Sequence, residues 1–347
     1  MNRKVAGRTV LSAVALLLML PVSACSSAGT GSGGGIGTLT ACHVTTGDLS
    51  ISGGGKSSAP ALPAGTLSVD GSTALAPLFQ QAAGNVSANS ANSNKVSINI
   101  TPNGSGTGLN DVENGTVQIG MSDVFAQEKA TATTTYSNLV DNQVAVVPFT
   151  LVVSEDISSQ VQNLTTQQIK GIYAGNITNW SQVGGPNEPI IVVVRTRTSG
   201  TRATFDKFVI NDVHQLKDEP AAAQTADSTG ELVTDISNSL GAVGYAATSF
   251  VLNHAQAGKI FPICIDGFGA TRSNINAGKY RFWSIEHAYT KGTPAPGSLP
   301  EAFLNYVNGS AFQNADLASL GFLKVSELTS AAQTTHPVPL PVPTATP

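Results

Sequence analysis

Ile190-Ile-Val-Val-Val-Arg195-Thr-Arg197-Thr-Ser199-Gly200-Thr201-Arg202 is the stretch on which the reading of this chain turns. Its first half is a run of β-branched residues, the pattern of a strand buried on both faces. Its second half is a short polar loop. Phe205, Phe208 and Val209 then recur at helical spacing. A strand therefore runs through a Ser-Gly-Thr loop into a helix. A helix N-terminus presents unpaired backbone N–H groups and the positive end of the helix dipole. With the hydroxyls of Ser199 and Thr201 and the guanidinium of Arg195, the loop has the makings of an oxyanion site. Read alone, the same residues also fit an ordinary Ser-capped helix with surface arginines.

The same local grammar recurs upstream. Leu67-Ser-Val69 leads into Asp70-Gly71-Ser72-Thr73 and a helix from Ala74 to Ala82, with Pro77 tolerated in its first turn. Val96-Ser-Ile98-Asn-Ile100 leads into Asn103-Gly104-Ser105-Gly106-Thr107-Gly108 and a short helix, Leu109 to Asn114. Val117 to Met121 ends at Ser122-Asp123. Strand, polar loop and helix in repetition mark an α/β fold with parallel strands, whose ligands sit at the carboxyl ends of the strands. Glycines let backbone amides approach a ligand closely, and the hydroxyls add donors.

The 347 residues allow two domains, and 41% hydrophobic content supplies real cores. Net charge is −4, which excludes the basic footprint of a nucleic-acid binder. A net acidic protein that binds an anion must use local geometry. Residues 1–25 read as a leader: Arg3, Lys4 and Arg8, an apolar run from Val10 to Leu20, then Val22-Ser23-Ala24-Cys25. Small residues directly before a cysteine resemble a bacterial lipobox, with Cys25 the lipidated mature N-terminus. The other reading is a plain secretory leader cut near Ala24. No later segment reaches the roughly 18 apolar residues of a membrane span. Residues 26–65 are a Gly/Ser-rich tether. Cys42 and Cys264 remain once Cys25 is assigned, and in an oxidising compartment they either pair or stay as free thiols. Residues 329–347, rich in Thr and Pro, are expected to be a disordered or polyproline tail.

Taken together, Gly71-Ser72-Thr73-Ala74, Gly104-Ser105-Gly-Thr-Gly108, Gly120-Met-Ser122-Asp123, Ile172-Tyr-Ala-Gly175-Asn-Ile177-Thr-Asn179-Trp180, Arg195-x-x-x-Ser199-Gly200-Thr201-Arg202 and Gly241-Ala-Val-Gly244-Tyr245 resemble, in order and spacing, the phosphate-binding proteins of bacterial high-affinity phosphate ABC importers. The resemblance spans about residues 66–325. It implies a type II periplasmic-binding-protein-like fold, two α/β lobes around a ligand cleft. It places Thr73, the amide of Ala74, and Ser105 as phosphate donors, Asp123 as acceptor of the phosphate's own proton, and Arg195 on the phosphate oxygens. Ser199, Gly200 and Thr201 supply the helix N-terminus. Some branches of the family carry an acidic residue that braces the binding arginine; Arg197 stands here instead and makes the pocket more positive.

The expectation is thus a monomeric, lipid-anchored, extracytoplasmic protein that captures inorganic phosphate for an ABC permease, with no metal and no cofactor. Lobe one is expected at 66–147 plus 246–328 and lobe two at 148–245. Within the same class the alternatives are a sulfate or molybdate binder and a lipid-anchored phosphate sensor. A serine hydrolase is the reading from another class. It lacks support, because the five histidines (43, 214, 254, 287, 336) lie outside the polar loops and no Gly-x-Ser-x-Gly elbow is in phase.

Overall fold

The computed structural model describes residues 42, 44, 46–49, 55–131, 133–211, 223–255 and 258–337. All of these fall in one unit, Leu39–Pro347. The leader and Cys25 lie outside the described residues.

Among the described residues ten strands form the framework: β1 (Gly65–Gly71), β2 (Val96–Pro102), β3 (Ile119–Ser122), β4 (Leu139–Ser154), β5 (Asn163–Leu164), β6 (Ile191–Arg195), β7 (Gln224–Ala226), β8 (Ala242–Ala247), β9 (Ile260–Ile265) and β10 (Trp283–Lys291). Their order is β2-β1-β3-β10-β4-β8-β6-β7, with β9 pairing β4 and β5. β1 pairs with β2 and β3 in parallel, and β6 with β7 and β8 in parallel. β10 runs antiparallel between β3 and β4. The turns after β1 and β3 meet those after β6 and β7: Arg195 donates to Thr73 and Thr201 to Asp123.

β4 is the spine. The sequence suggests two units around Val144–Phe149 and Leu151–Val153, but the structure has one strand of 16 residues. Its first part pairs with β10 and its last residues with β8 and β9. Pro148 sits where the strand changes partners. There a missing N–H costs least, since neither ladder is continuous through it.

The second crossover departs from expectation. The sequence reading returned the chain to the first lobe at Tyr245–Ala246. In the structure, Ala246 and Ala247 pair with Thr150 and Phe149, and Ile260–Ile263 pairs with Ser154–Leu151. Buried apolar residues of β9 (Ile260, Ile263) find their partner in the second half of the sheet. Tyr280–Trp283 lies beside Pro148–Phe149: Tyr280 Oη donates to the carbonyl of Phe149 at 2.7 Å, and Phe149 N to the carbonyl of Phe282 at 3.0 Å.

Two flanking segments are also more ordered than composition implies. Ser57 N donates to Asp316 at 2.9 Å and Leu62 N to Asn92 at 2.7 Å, so residues 55–64 of the tether dock on the body. Cys42 and Cys264 form a disulfide across 222 residues of sequence. Beyond Leu328, where a disordered tail was expected, Ser330–Gln333 is helical. His336 then stacks between Phe208 and Trp283, with ring centroids 3.6 and 3.8 Å away. Burial of these rings outweighs the disorder that Thr and Pro favour, and it holds the His336 imidazole down to about 3. Residues 338–347 lie outside the described residues.

Candidate functional site

Each polar loop is set by the strand before it and the helix after it. β1 ends at Gly71. Ser72 then accepts from the amides of Ala74 (3.1 Å) and Leu75 (3.0 Å), at the start of helix Ala76–Ala88, and donates its proton to the Asp123 carboxylate. The second loop is shorter than its glycines suggest. Gly104 makes the turn at φ 104°, and Ser105 already opens helix Ser105–Asn114. Gly108 lies in that helix because a Cβ there would stand 2.6 Å from the Cα of Gly71. β3 delivers Asp123, whose amide donates to Ser105 Oγ at 3.0 Å.

From the other half, β6 ends at Arg195. Ser199 caps helix Gly200–Phe205, accepting from Arg202 N at 3.2 Å. Thr201 donates to Asp123 at 2.8 Å. Gly200 packs so closely that a Cβ would fall 2.4 Å from Ser105 Oγ and 2.8 Å from Asp123 Cβ. Only glycine lets the two loops meet there. Arg195 is 1% exposed. Its Nη2 donates to Thr73 Oγ1 (3.1 Å) and to the Asp227 carbonyl (3.0 Å), Nη1 to Thr229 Oγ1 (3.1 Å), and Nε to the Ala226 carbonyl (3.3 Å). Arg202 Nη1 donates to the carbonyl of Arg195 at 2.7 Å and Arg202 Nε lies 3.6 Å from Asp206. The strand end is therefore held from behind.

All eight predicted residues converge here. Asp123 sits between hydroxyls from both halves, and Arg195 reaches across to Thr73. Arg197 is exposed; main-chain carbonyls and threonine hydroxyls hold the Arg195 guanidinium. Three participants were not singled out from sequence. Thr229 opens helix Thr229–Asn238, and Asp227-Ser-Thr-Gly230 after β7 repeats the same strand-end pattern, which was the available signal. Lys129 Nζ donates to the carbonyls of Arg197 (3.0 Å) and Ser199 (3.2 Å), and burial lowers it to about 8 against the pull of Asp123, Asp206 and Glu128. Glu286 on β10 is fully buried. Burial first and Asp123 second push its carboxyl well above the usual range.

Such an arrangement has the chemistry of an anion site. One buried guanidinium, short hydroxyl side chains and the first amides of a helix supply donors. One carboxylate supplies an acceptor. Among the described residues no cluster of His, Cys, Asp and Glu is placed to hold a metal ion.

Fold and site together define a periplasmic-binding-protein-like chain of the type II class. A family profile described as a PBP superfamily domain matches residues 56–310. The phosphate-binding protein PstS of Bacillus subtilis is 35% identical over 264 residues, covering 76% of this chain and 82% of that protein. The chain belongs to the PBP superfamily and, within it, to the family of phosphate-binding proteins. A Clostridium perfringens protein, assigned as a phosphate ABC transporter substrate-binding protein and solved with bound phosphate, superposes with a TM-score of 0.65 at 26% identity. It covers 75% of this chain and 100% of that one. An ABC-type phosphate transport receptor from Vibrio cholerae shares the fold, with a TM-score of 0.57 at 22% identity, over 74% of this chain and 99% of its own.

Proposed function

We propose that this chain is an extracytoplasmic, lipid-anchored substrate-binding protein that captures inorganic phosphate between its lobes and hands it to an ABC permease. It is a binding protein and not an enzyme. The observation that carries the reading is the convergence of two buried groups, the Arg195 guanidinium and the Asp123 carboxylate, on hydroxyls from both halves of the sheet. Thr73, Ser105 and Thr201 would redirect their hydroxyl protons to phosphate oxygens. The amides of Ala74, Gly200 and Thr201 would add main-chain donors, with Ser199 holding the helix start. Arg195 would take two oxygens through its fork. Asp123 would accept the proton that phosphate carries near neutral pH. Two crossovers, at Pro148–Phe149 and Tyr280–Trp283, serve as the hinge. Lobe one is then 66–147 plus the chain from Trp283 to 328, and lobe two the segment between. The lipid attachment at Cys25 rests on the lipobox pattern alone.

Melting of the purified chain with added anions tests the reading. Phosphate at a hundredfold over its Kd stabilises by about 2.7 kcal/mol. Equal shifts with phosphate and chloride would defeat it. Loss of membrane association in Cys25→Ala tests the anchor.

A further inference from the structure

Glu286 lies on β10 with no exposed surface, and both its carboxyl oxygens are buried without a hydrogen-bond partner. His287 stands opposite Ser122 in the antiparallel pairing of β10 with β3, which sets Glu286 beside Asp123, and the Asp123 carboxyl acts on it. Two residues earlier, on the same face of the strand, Ser284 Oγ donates to the main-chain carbonyl of Asp123. β10 therefore holds the Asp123 main chain through Ser284 and sets the Glu286 carboxyl beside its side chain.

Two carboxylates this close in a dry interior do not both ionise; one proton stays with the pair. The surroundings of the two differ. Asp123 accepts from the hydroxyls of Ser72 and Thr201 and feels the charges of Arg195 and Lys129. Each of these presents a donor or a positive charge to the Asp123 carboxyl. Glu286 has no such donors. Two further titratable groups near this part of β10 have partners elsewhere: His287 with Asp141 at 2.8 Å, and Asp70, which accepts from Asn103 at 2.9 Å. Unequal surroundings of this kind are the usual way a protein gives one acid of a pair the proton, and burial without a partner favours the neutral form of Glu286.

We propose that Glu286 is a neutral carboxylic acid that carries the proton of the pair, so that Asp123 remains an ionised acceptor and the site selects an anion bearing a proton. This deepens the phosphate-binding reading and rests on it for its selectivity half. Were the proton on Asp123, that group would donate, and a fully deprotonated tetrahedral anion would be admitted. Glu286 is a positioning residue: it acts on the ligand through Asp123.

The test uses the full chain, with Glu286→Gln and Glu286→Leu. Infrared spectra of the ligand-free wild type at neutral pH are expected to contain the carbonyl stretch of a buried protonated carboxylic acid, and Glu286→Gln to lack it. Gln keeps the shape and a donor, so its phosphate affinity stays within about threefold of wild type. Leu has no donor and weakens phosphate at least about tenfold, 1.4 kcal/mol, while sulfate affinity relative to phosphate rises. Absence of the acid stretch in wild type, or its survival in Glu286→Gln, overturns the proposal, as does Gln binding no better than Leu. If wild type bound no phosphate, the functional reading would fall. The infrared result would still decide where the proton sits.

Discussion

Arg195→Ala separates binding from folding. The guanidinium is 1% exposed, and removing one partner of a buried charge pair costs about 2–5 kcal/mol. Phosphate affinity should therefore fall roughly 30-fold to several thousandfold. Stability should change far less, because the groups Arg195 leaves behind have other partners. Thr73 and Thr229 still bond to each other at 2.9 Å. The carbonyl of Ala226 still accepts from Thr196 N at 3.3 Å. Only the Asp227 carbonyl loses a donor, a cost of about 1 kcal/mol or slightly more. Removal of a buried cation, whose burial lowers the Arg195 pKa, offsets part of that. Arg195→Lys should land between, since Lys lacks the bidentate fork. Calorimetric titration with phosphate, alongside denaturant melts, reads both quantities. Affinity within about threefold of wild type in Arg195→Ala would refute the reasoning, as would a stability loss that matches the affinity loss.

Two further outcomes follow from the flanking segments. Burial holds the folded His336 imidazole down to about 3, below its ordinary value of 6.5, so the unfolded chain binds the extra proton between those values. Its contribution is therefore complete above about pH 6.5 and is lost as pH falls towards 3; in His336→Phe, which keeps the stack on Trp283 and Phe208, the stability difference from wild type should move in the variant's favour over that window, and a pH-independent difference in melts would contradict this. Cys42→Ser opens the link to Cys264 and should lower stability by about 2–4 kcal/mol with phosphate affinity unchanged, measured by denaturant melts and calorimetry; an unchanged melt would show that the bridge does not constrain the fold.

The site was legible in the sequence because its parts are local. Ser72-Thr73, Ser105, Asp123 and Ser199-Gly-Thr201 each sit at a strand end, where residue type alone signals a turn and a helix start. Thr229 obeys the same rule, but its loop follows β7, a strand of only three residues that the sequence pattern does not announce. The course of β8 and β9 was not legible. Both read as apolar strands, and the edge each chooses depends on β4, whose length is hidden by Pro148. Glu286 was invisible for a related reason. Its meaning comes from β10 lying beside β3, which joins residues far apart in the chain. The ordering of His336 is likewise tertiary, set by Trp283 and Phe208.

The central claim is that Asp123 makes the cleft a site for an oxyanion that brings its own proton. Ionised Asp123 only accepts hydrogen bonds. Phosphate near neutral pH offers it one, charge-assisted. Sulfate offers none, and two facing acceptors left unpaired in a dry cleft cost about 1–3 kcal/mol or more. Asp123→Asn, whose amide can donate, should narrow the gap by admitting sulfate. The most direct measurement is calorimetric titration of the wild-type protein with phosphate and with sulfate at neutral pH, repeated on Asp123→Asn. The account predicts that wild type binds phosphate and gives no binding heat with sulfate, and that the variant gains sulfate relative to phosphate. Wild type binding both anions equally, or an unchanged ratio in Asp123→Asn, would contradict it.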